Sequence, residues 1–226
     1  MAQSEFWTSE ELETFLAWAG SDLSCNARDQ ALYRMASQTG MRRGELLGLR
    51  WREVDLENSL VTVIQQLTRQ RRVRIGFGAP KTPAGRRTIN LSAGTVEAVL
   101  AVKEAQAFAR RALGDAYRVE DDLVFCRDDG TQHDPDVVSR RFARHVKRSK
   151  VRRLHFHGMR HTAAVIGLRE LGEWADECSR RLGHTSVAFT LETYGHLVPK
   201  RGENIAAAFD SLLAERREKR GRESNP

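Results

Sequence analysis

Between residues 60 and 91 the hydrophobic spacing of this chain leaves the helical period and takes the two-residue period of a strand. Leu60 to Gln65 alternates, with Val61, Val63 and Gln65 on one face. Arg72 to Phe77 and Arg87 to Leu91 alternate likewise. Side chains two apart share a strand face, whereas side chains three or four apart share a helix face. Three short alternating runs joined by turn residues read as one three-stranded antiparallel sheet. The predicted class is α+β, mostly α-helical, with that small sheet near residues 60–91. Between the last two strands runs Gly76 to Gly85, a loop rich in Gly and Pro.

Helical signals fill the rest. Thr8 and Glu11 form a capping box that opens a helix carrying Leu12, Phe15 and Leu16. Further helices are predicted over about 27–37, near Leu46 to Leu49, and over roughly 93–113. Asp134 caps another with Pro135 in its first position. On that helix Val138, Phe142 and Val146 form the buried stripe, and Arg140, Arg141, Arg144, Lys147 and Arg148 occupy the remainder. Shorter helices follow over about 158–171, 175–182 and 187–193, then an amphipathic one with Ile205, Phe209, Leu212 and Leu213. Residues 214–226 are nearly all charged or polar and read as a disordered tail.

A chain of 226 residues can bury one good core. Its net charge of +7 and pI of about 9.8 favour a polyanionic partner. Of the 37 basic residues 31 are arginine, whose planar fork grips phosphate at two points. An arginine-rich codon habit would give the same ratio. Cys25, Cys126 and Cys178 are widely spaced and read as reduced core thiols. No apolar run approaches the roughly 20 residues of a membrane span, and Met1 to Trp7 lacks a signal-peptide pattern. A cytoplasmic or nucleoid location is expected.

Six residues read together as one site: Arg42, Lys81, His157, Arg160, His184 and Tyr194. Five are cationic or proton-handling groups and the sixth offers a hydroxyl. That inventory suits cleaving a phosphodiester with a tyrosine while holding an anionic transition state. Taken singly each has a plainer reading. Arg42 and Glu45 are spaced as a helix salt bridge, His157 and Arg160 as a surface pair, and Lys81 sits in a loop. His184 could be structural and Tyr194 simple core.

The local contexts are sharper. Thr39-Gly40-Met41-Arg42-Arg43-Gly44-Glu45, Pro80-Lys81-Thr82, His157-Gly158-Met159-Arg160-His161, Leu182-Gly183-His184 and Thr193-Tyr194, in this order, resemble the catalytic domain of the tyrosine recombinases, the phage-integrase family. The resemblance covers about Phe6 to Leu213, so residues 1–213 are expected to be that domain. It implies that Tyr194 attacks a scissile phosphate and leaves a 3′-phosphotyrosyl link. Arg42 and Arg160 would share the developing charge, His184 would donate to a non-bridging oxygen, and His157 would be the base for Tyr194. Lys81 would protonate the departing 5′ oxygen. Glu45 and His161 would support those groups from behind. Arg43, Arg69, Arg71, Arg72, Arg74, Arg86, Arg87, Arg140, Arg141 and Arg144 are expected on double-stranded DNA. No metal, ATP or other cofactor is implied.

The family's N-terminal core-binding domain has no counterpart in this sequence, so weak DNA affinity with steep salt dependence is expected. A homotetramer on DNA is implied for a full-length member and a monomer for this chain. The C-terminal apolar stripe could dock on a neighbour or pack on its own domain. A type IB topoisomerase and a non-catalytic DNA-binding protein remain alternatives. His155, His157 and His161 could suggest zinc, whereas the acidic pairs Asp121-Asp122 and Asp128-Asp129 look like solvated turns.

Overall fold

The computed structural model describes residues 5–70, 74–80, 82–197 and 209–216. Eight α-helices are resolved within 5–197: α1 (Ser9–Ser21), α2 (Ala27–Thr39), α3 (Arg43–Leu47), α4 (Ala93–Leu113), α5 (Pro135–Ser149), α6 (Gly158–Arg169), α7 (Ala175–Leu182) and α8 (Val187–Tyr194). The start signals read from sequence are the ones that operate. The Thr8 hydroxyl accepts from the Glu11 amide while the Glu11 carboxylate accepts from the Thr8 amide. Asp134 accepts from the Asp136 amide, with Pro135 opening α5. Such caps satisfy amides that the first helical turn leaves unpaired.

The strand region divides differently from the single sheet expected. Strands β1 (Val54–Asp55), β2 (Leu60–Val63) and β5 (Arg87–Asn90) form a three-stranded antiparallel sheet with β2 in the centre. Val61 pairs with Ile89 and Val63 with Arg87. The run expected as the middle strand is instead β4 (Arg74–Gly78), which pairs with β3 (Gln66–Gln70) as a separate two-stranded ribbon. Val61 and Val63 are buried as expected. Gln65 falls beyond the strand, and its amide donates to the Gly48 carbonyl.

Helix α2 is the axis of the molecule, with α1, α4 and α6 packed around it. The main core joins Leu32, Met35 and Leu46 to Val61, Val99 and Phe142. Phe142 of α5 meets Trp7, Phe15, Tyr33 and Phe156 with ring centroids 5.3–6.0 Å apart. Burying one such ring contributes ~2–3 kcal/mol. A smaller cluster of Phe6, Ala164, Val165, Leu168, Cys178, Leu182 and Tyr194 lies under α6, α7 and α8. The three cysteines are free and buried, as the sequence suggested.

Helix α3 rests on strand β3. A Cβ at Gly44 would lie 2.6 Å from the Leu67 carbonyl oxygen, and one at Gly48 would lie 2.8 Å from the Leu67 amide nitrogen. Two glycines four apart therefore let helix and ribbon touch backbone to backbone, which sets the height of Arg42 and Glu45. Residues 209–216 are helical, with Phe209, Leu212 and Leu213 exposed, and they run through 214–216, where the tail was expected to begin. Ile205 and the rest of the tail, 217–226, lie outside the described residues. No described helix is long and apolar enough to cross a membrane.

Candidate active site

Glu45 anchors the site from below. Its side chain is 1% exposed and accepts from the Arg42 amide at 2.8 Å and from Arg42 Nη1 at 2.8 Å. Arg42 Nη2 also reaches the Gly183 carbonyl at 3.4 Å, beside His184. Burial acts to raise the Glu45 carboxyl, but the hydrogen bonds and charges of Arg87 and Arg42 outweigh it and hold it below its ordinary value. Glu45 is thus an anion in the range where the arginines are cations.

Arg160 enters from α6 and is 4% exposed. Its Nη1 donates to the Gly40 carbonyl at 2.7 Å, at the turn that leads from α2 to Arg42. Its Nη2 is buried and finds no partner among the described residues. A buried donor without an acceptor costs ~1–3 kcal/mol unless something fills the role. Burial, and then the Arg42 guanidinium, pull the Arg160 value down to about 9, which leaves it cationic at neutral pH.

Three histidines and the tyrosine complete the group. His184 is buried, and its Nδ1 lies 2.7 Å from the Thr190 hydroxyl. Burial first, then Arg160 and Arg42, depress its value to about 3. The Tyr194 ring stacks against His184 at 6.3 Å with planes 9° apart. The Tyr194 hydroxyl is 2.7 Å from Nδ1 of His161, which burial and then His157 depress to about 4. His157 stands edge-on to His161 at 4.8 Å. Its own value is lowered by burial and by Arg160, Arg42 and Arg43. Burial pushes the Tyr194 phenol up to about 12, against the pull of Arg160. All three rings are neutral at pH 7, so each has a ring nitrogen free to accept a proton and would become a cation on doing so.

Part of this group borders a cleft of about 880 Å³ whose wall includes Arg42, Arg43, Glu45, His157 and His184, with Thr68, Pro80 and Thr82 on the ribbon side. Tyr194 is not part of that wall. Arg42, with 40% of its side chain exposed, and the Arg160 donor behind it can hold an anion between them. A hydroxyl, a base against it and a dense set of cations are the parts needed to transfer a phosphoryl group to the phenol.

A model of the phage integrase family matches residues 5–201. The chain belongs to the phage integrase family. It is 29% identical over 196 residues to a XerC-like tyrosine recombinase of Caldanaerobacter subterraneus subsp. tengcongensis, covering 82% of this chain and 50% of that protein. It is 29% identical over 212 residues to the ICEBs1 integrase of Bacillus subtilis, covering 92% of this chain and 55% of that protein. The chain therefore spans about half the length of these relatives. Its fold matches the Tn1549 transposon integrase solved with transposon right end DNA, with a TM-score of 0.74 at 22% identity, over 95% of this chain and 67% of that one.

Of the six site residues read from the sequence, Arg42, His157, Arg160, His184 and Tyr194 gather in one place. Lys81 lies outside the described residues, as do Arg71, Arg72 and the side chains of Arg69 and Arg74. The group touching the phenol is His161, not His157. Arg86, Arg140 and Arg144 are exposed. Arg43 lines the cleft and bonds the Pro135 carbonyl and the Ser139 hydroxyl of α5.

Two of the arginines expected on DNA turn inward. Arg141 is 18% exposed and pairs with buried Asp29 at 2.8 Å. Arg87 is 6% exposed and pairs with Glu45 at 2.9 Å. The strand reading carried a signal for the second: Arg87 is two residues from Ile89 and so shares its inward face. Thr190 carried no sequence signal, because its bond to His184 depends on how α8 folds back.

One other ligand-rich cluster exists among the described residues, where donor atoms of buried Cys25, Asp29 and His145 lie within 4.8 Å of one another. Arg141 already neutralises Asp29 there, and the Tyr33 hydroxyl occupies His145 Nδ1 at 2.9 Å. The cluster reads as a buried polar network between α2 and α5. His155, His157 and His161 do not converge in the same way.

Proposed function

We propose that this integrase chain is the catalytic unit of a site-specific DNA recombinase. Tyr194 Oη attacks the phosphorus of a scissile phosphodiester, a P–O bond to the phenol forms, and the bond to the 5′ oxygen breaks. The phenol proton passes to His161, with His157 next in line. Lys81 supplies the proton that the 5′ oxygen takes up. Arg42 and Arg160 bind the non-bridging oxygens, and Thr190, donating to Nδ1 of His184, leaves the His184 Nε2 proton for the same phosphate. A 5′ hydroxyl of a partner strand then reverses the steps. One ester replaces another, so the exchange needs no nucleotide hydrolysis.

The observation that carries this reading is that Arg160 Nη2 is a buried donor with no partner among the described residues, amid Arg42, His184 and Tyr194, groups contributed by four separate segments. The solved relative bound to transposon end DNA supports duplex DNA as the substrate class. Exposed Phe209, Leu212 and Leu213 support docking on a neighbouring copy in the DNA-bound assembly, a tetramer, with the free chain a monomer.

The test is a pool of randomised, nicked, labelled duplexes incubated with the chain and denatured. Wild type is expected to retain covalently attached DNA and Tyr194→Phe to retain none. Equal attachment by both would overturn the reading.

A further inference from the structure

We infer that Arg87 is a positioning residue of the active site, whose guanidinium fastens Glu45, and through it Arg42, to the two loops that lead to Lys81 and His184. This deepens the recombinase reading and rests on it. All three Arg87 nitrogens are committed. Nη2 donates to Glu45 Oε2 at 2.9 Å and Nη1 to Glu45 Oε1 at 3.2 Å, a two-pronged grip on the carboxylate that also holds Arg42. Nη1 further donates to the Gly85 carbonyl at 2.9 Å, four residues after Lys81. Nε donates to the Arg181 carbonyl at 2.6 Å, three residues before His184.

The backbone is shaped to admit this side chain. Gly183 turns at φ 69°, and a Cβ there would lie 2.9 Å from Arg87 Nη1 and 3.0 Å from the Ala84 carbonyl oxygen. Only a glycine lets the turn before His184 close on the guanidinium. A lysine in place of Arg87 would keep the charge but lose the fork, and could not hold Glu45 and two carbonyls together. Four of its five N–H groups are committed, and with its side chain 6% exposed Arg87 offers little surface to a phosphate. Every acceptor it uses lies on Glu45 or on a segment leading to a site residue. Removing it would also take away the strongest group that opposes burial at Glu45 and leave only Arg42, so the carboxyl would take up a proton at a higher pH than in the native chain.

Two measurements on Arg87→Ala and Arg87→Lys decide the matter. The first needs no DNA: a carboxyl-carbon NMR titration of Glu45. Its midpoint is expected below the usual 4.5 in wild type and above the wild-type value in Arg87→Ala. The second is single-turnover cleavage of a nicked duplex recovered from the pool above, at saturating DNA. Arg87→Ala is expected to be about a hundredfold slower, the scale of a small misplacement of reacting groups, with its acid limb moved to higher pH. Its DNA affinity and salt slope should match wild type, Arg87→Lys should lie between, and adding Glu45→Gln should slow it no further. Weaker DNA binding with a salt slope reduced by about one and an unchanged saturated rate would make Arg87 a phosphate contact and overturn the proposal. So would an unmoved Glu45 midpoint, or additive losses in the double variant. If wild type attaches no DNA, the recombinase reading falls, while the titration still decides whether Arg87 governs Glu45.

Discussion

The Tyr194 hydroxyl and Nδ1 of His161 lie 2.7 Å apart, and only 1% of the Tyr194 surface meets solvent. The phenol is held inside the small apolar cluster of α6, α7 and α8, outside the wall of the cleft that the arginines line. Under the proposed mechanism the same contact is the phenol's proton acceptor, so one histidine would both tether the tyrosine and serve it.

His161→Phe should leave a buried hydroxyl unpaired and cost ~1–3 kcal/mol of stability. It should also slow covalent attachment to nicked DNA roughly a hundredfold, the usual worth of a positioned proton acceptor. Chemical denaturation and single-turnover trapping measure the two effects. If both matched wild type, the contact would be idle.

Gly44→Ala tests whether the seating of α3 matters. The new Cβ would meet the Leu67 carbonyl oxygen at 2.6 Å, and backbone on both sides leaves little to give way. Lifting α3 is expected to cost ~1–3 kcal/mol, as overpacking does, and to slow attachment by displacing Arg42 and Glu45 together. Ala at Gly20, where a Cβ meets nothing within 4 Å, is the control.

Local features of this fold were legible in the sequence because their physics is local. Thr8 with Glu11, and Asp134 with Pro135, mark helix starts through bonds that span two or three residues. The site residues were legible through short motifs around each of them. Strand pairing was not, since β4 pairs with the run just before it, and that run, Gln66–Gln70, is mostly polar and carries no hydrophobic alternation to mark it as a strand. The placement of Arg87 and Arg141 was missed because positive charge was read as surface. Their partners, Glu45 and Asp29, are buried carboxylates distant in sequence. His161 next to Arg160 was visible, but its contact with Tyr194 depends on the packing of α8 against α6.

Thr190→Val keeps the shape of the side chain and removes the hydroxyl at His184 Nδ1. The ring then loses the partner that fixes which nitrogen carries its proton. Losing one such bond is worth about 1 kcal/mol, so attachment should slow about fivefold with the fold intact. A melting curve and trapping assay on the same preparation separate the two. A rate equal to wild type would remove Thr190 from the site.

Acid should destabilise this chain earlier than its carboxylates alone would require. Burial holds His133 and His161 to about 4 and His184 to about 3, each below the usual 6.5. Between about 6.5 and those values the unfolded chain binds protons that the folded chain refuses, so stability rises with pH across that window. The contribution is fully present above 6.5 and is lost as pH falls towards 4 and then 3. Each unit of depression at a nearly fully buried ring such as His133 or His184 is worth at most ~1.4 kcal/mol, so a loss of several kcal/mol is expected in all. Glu45 and Asp22, whose carboxyls are depressed, act only at lower pH. The urea midpoint should thus drop between pH 7 and 4.5, and drop less in His133→Gln. A midpoint constant over that range would show that these histidines are not held neutral by burial.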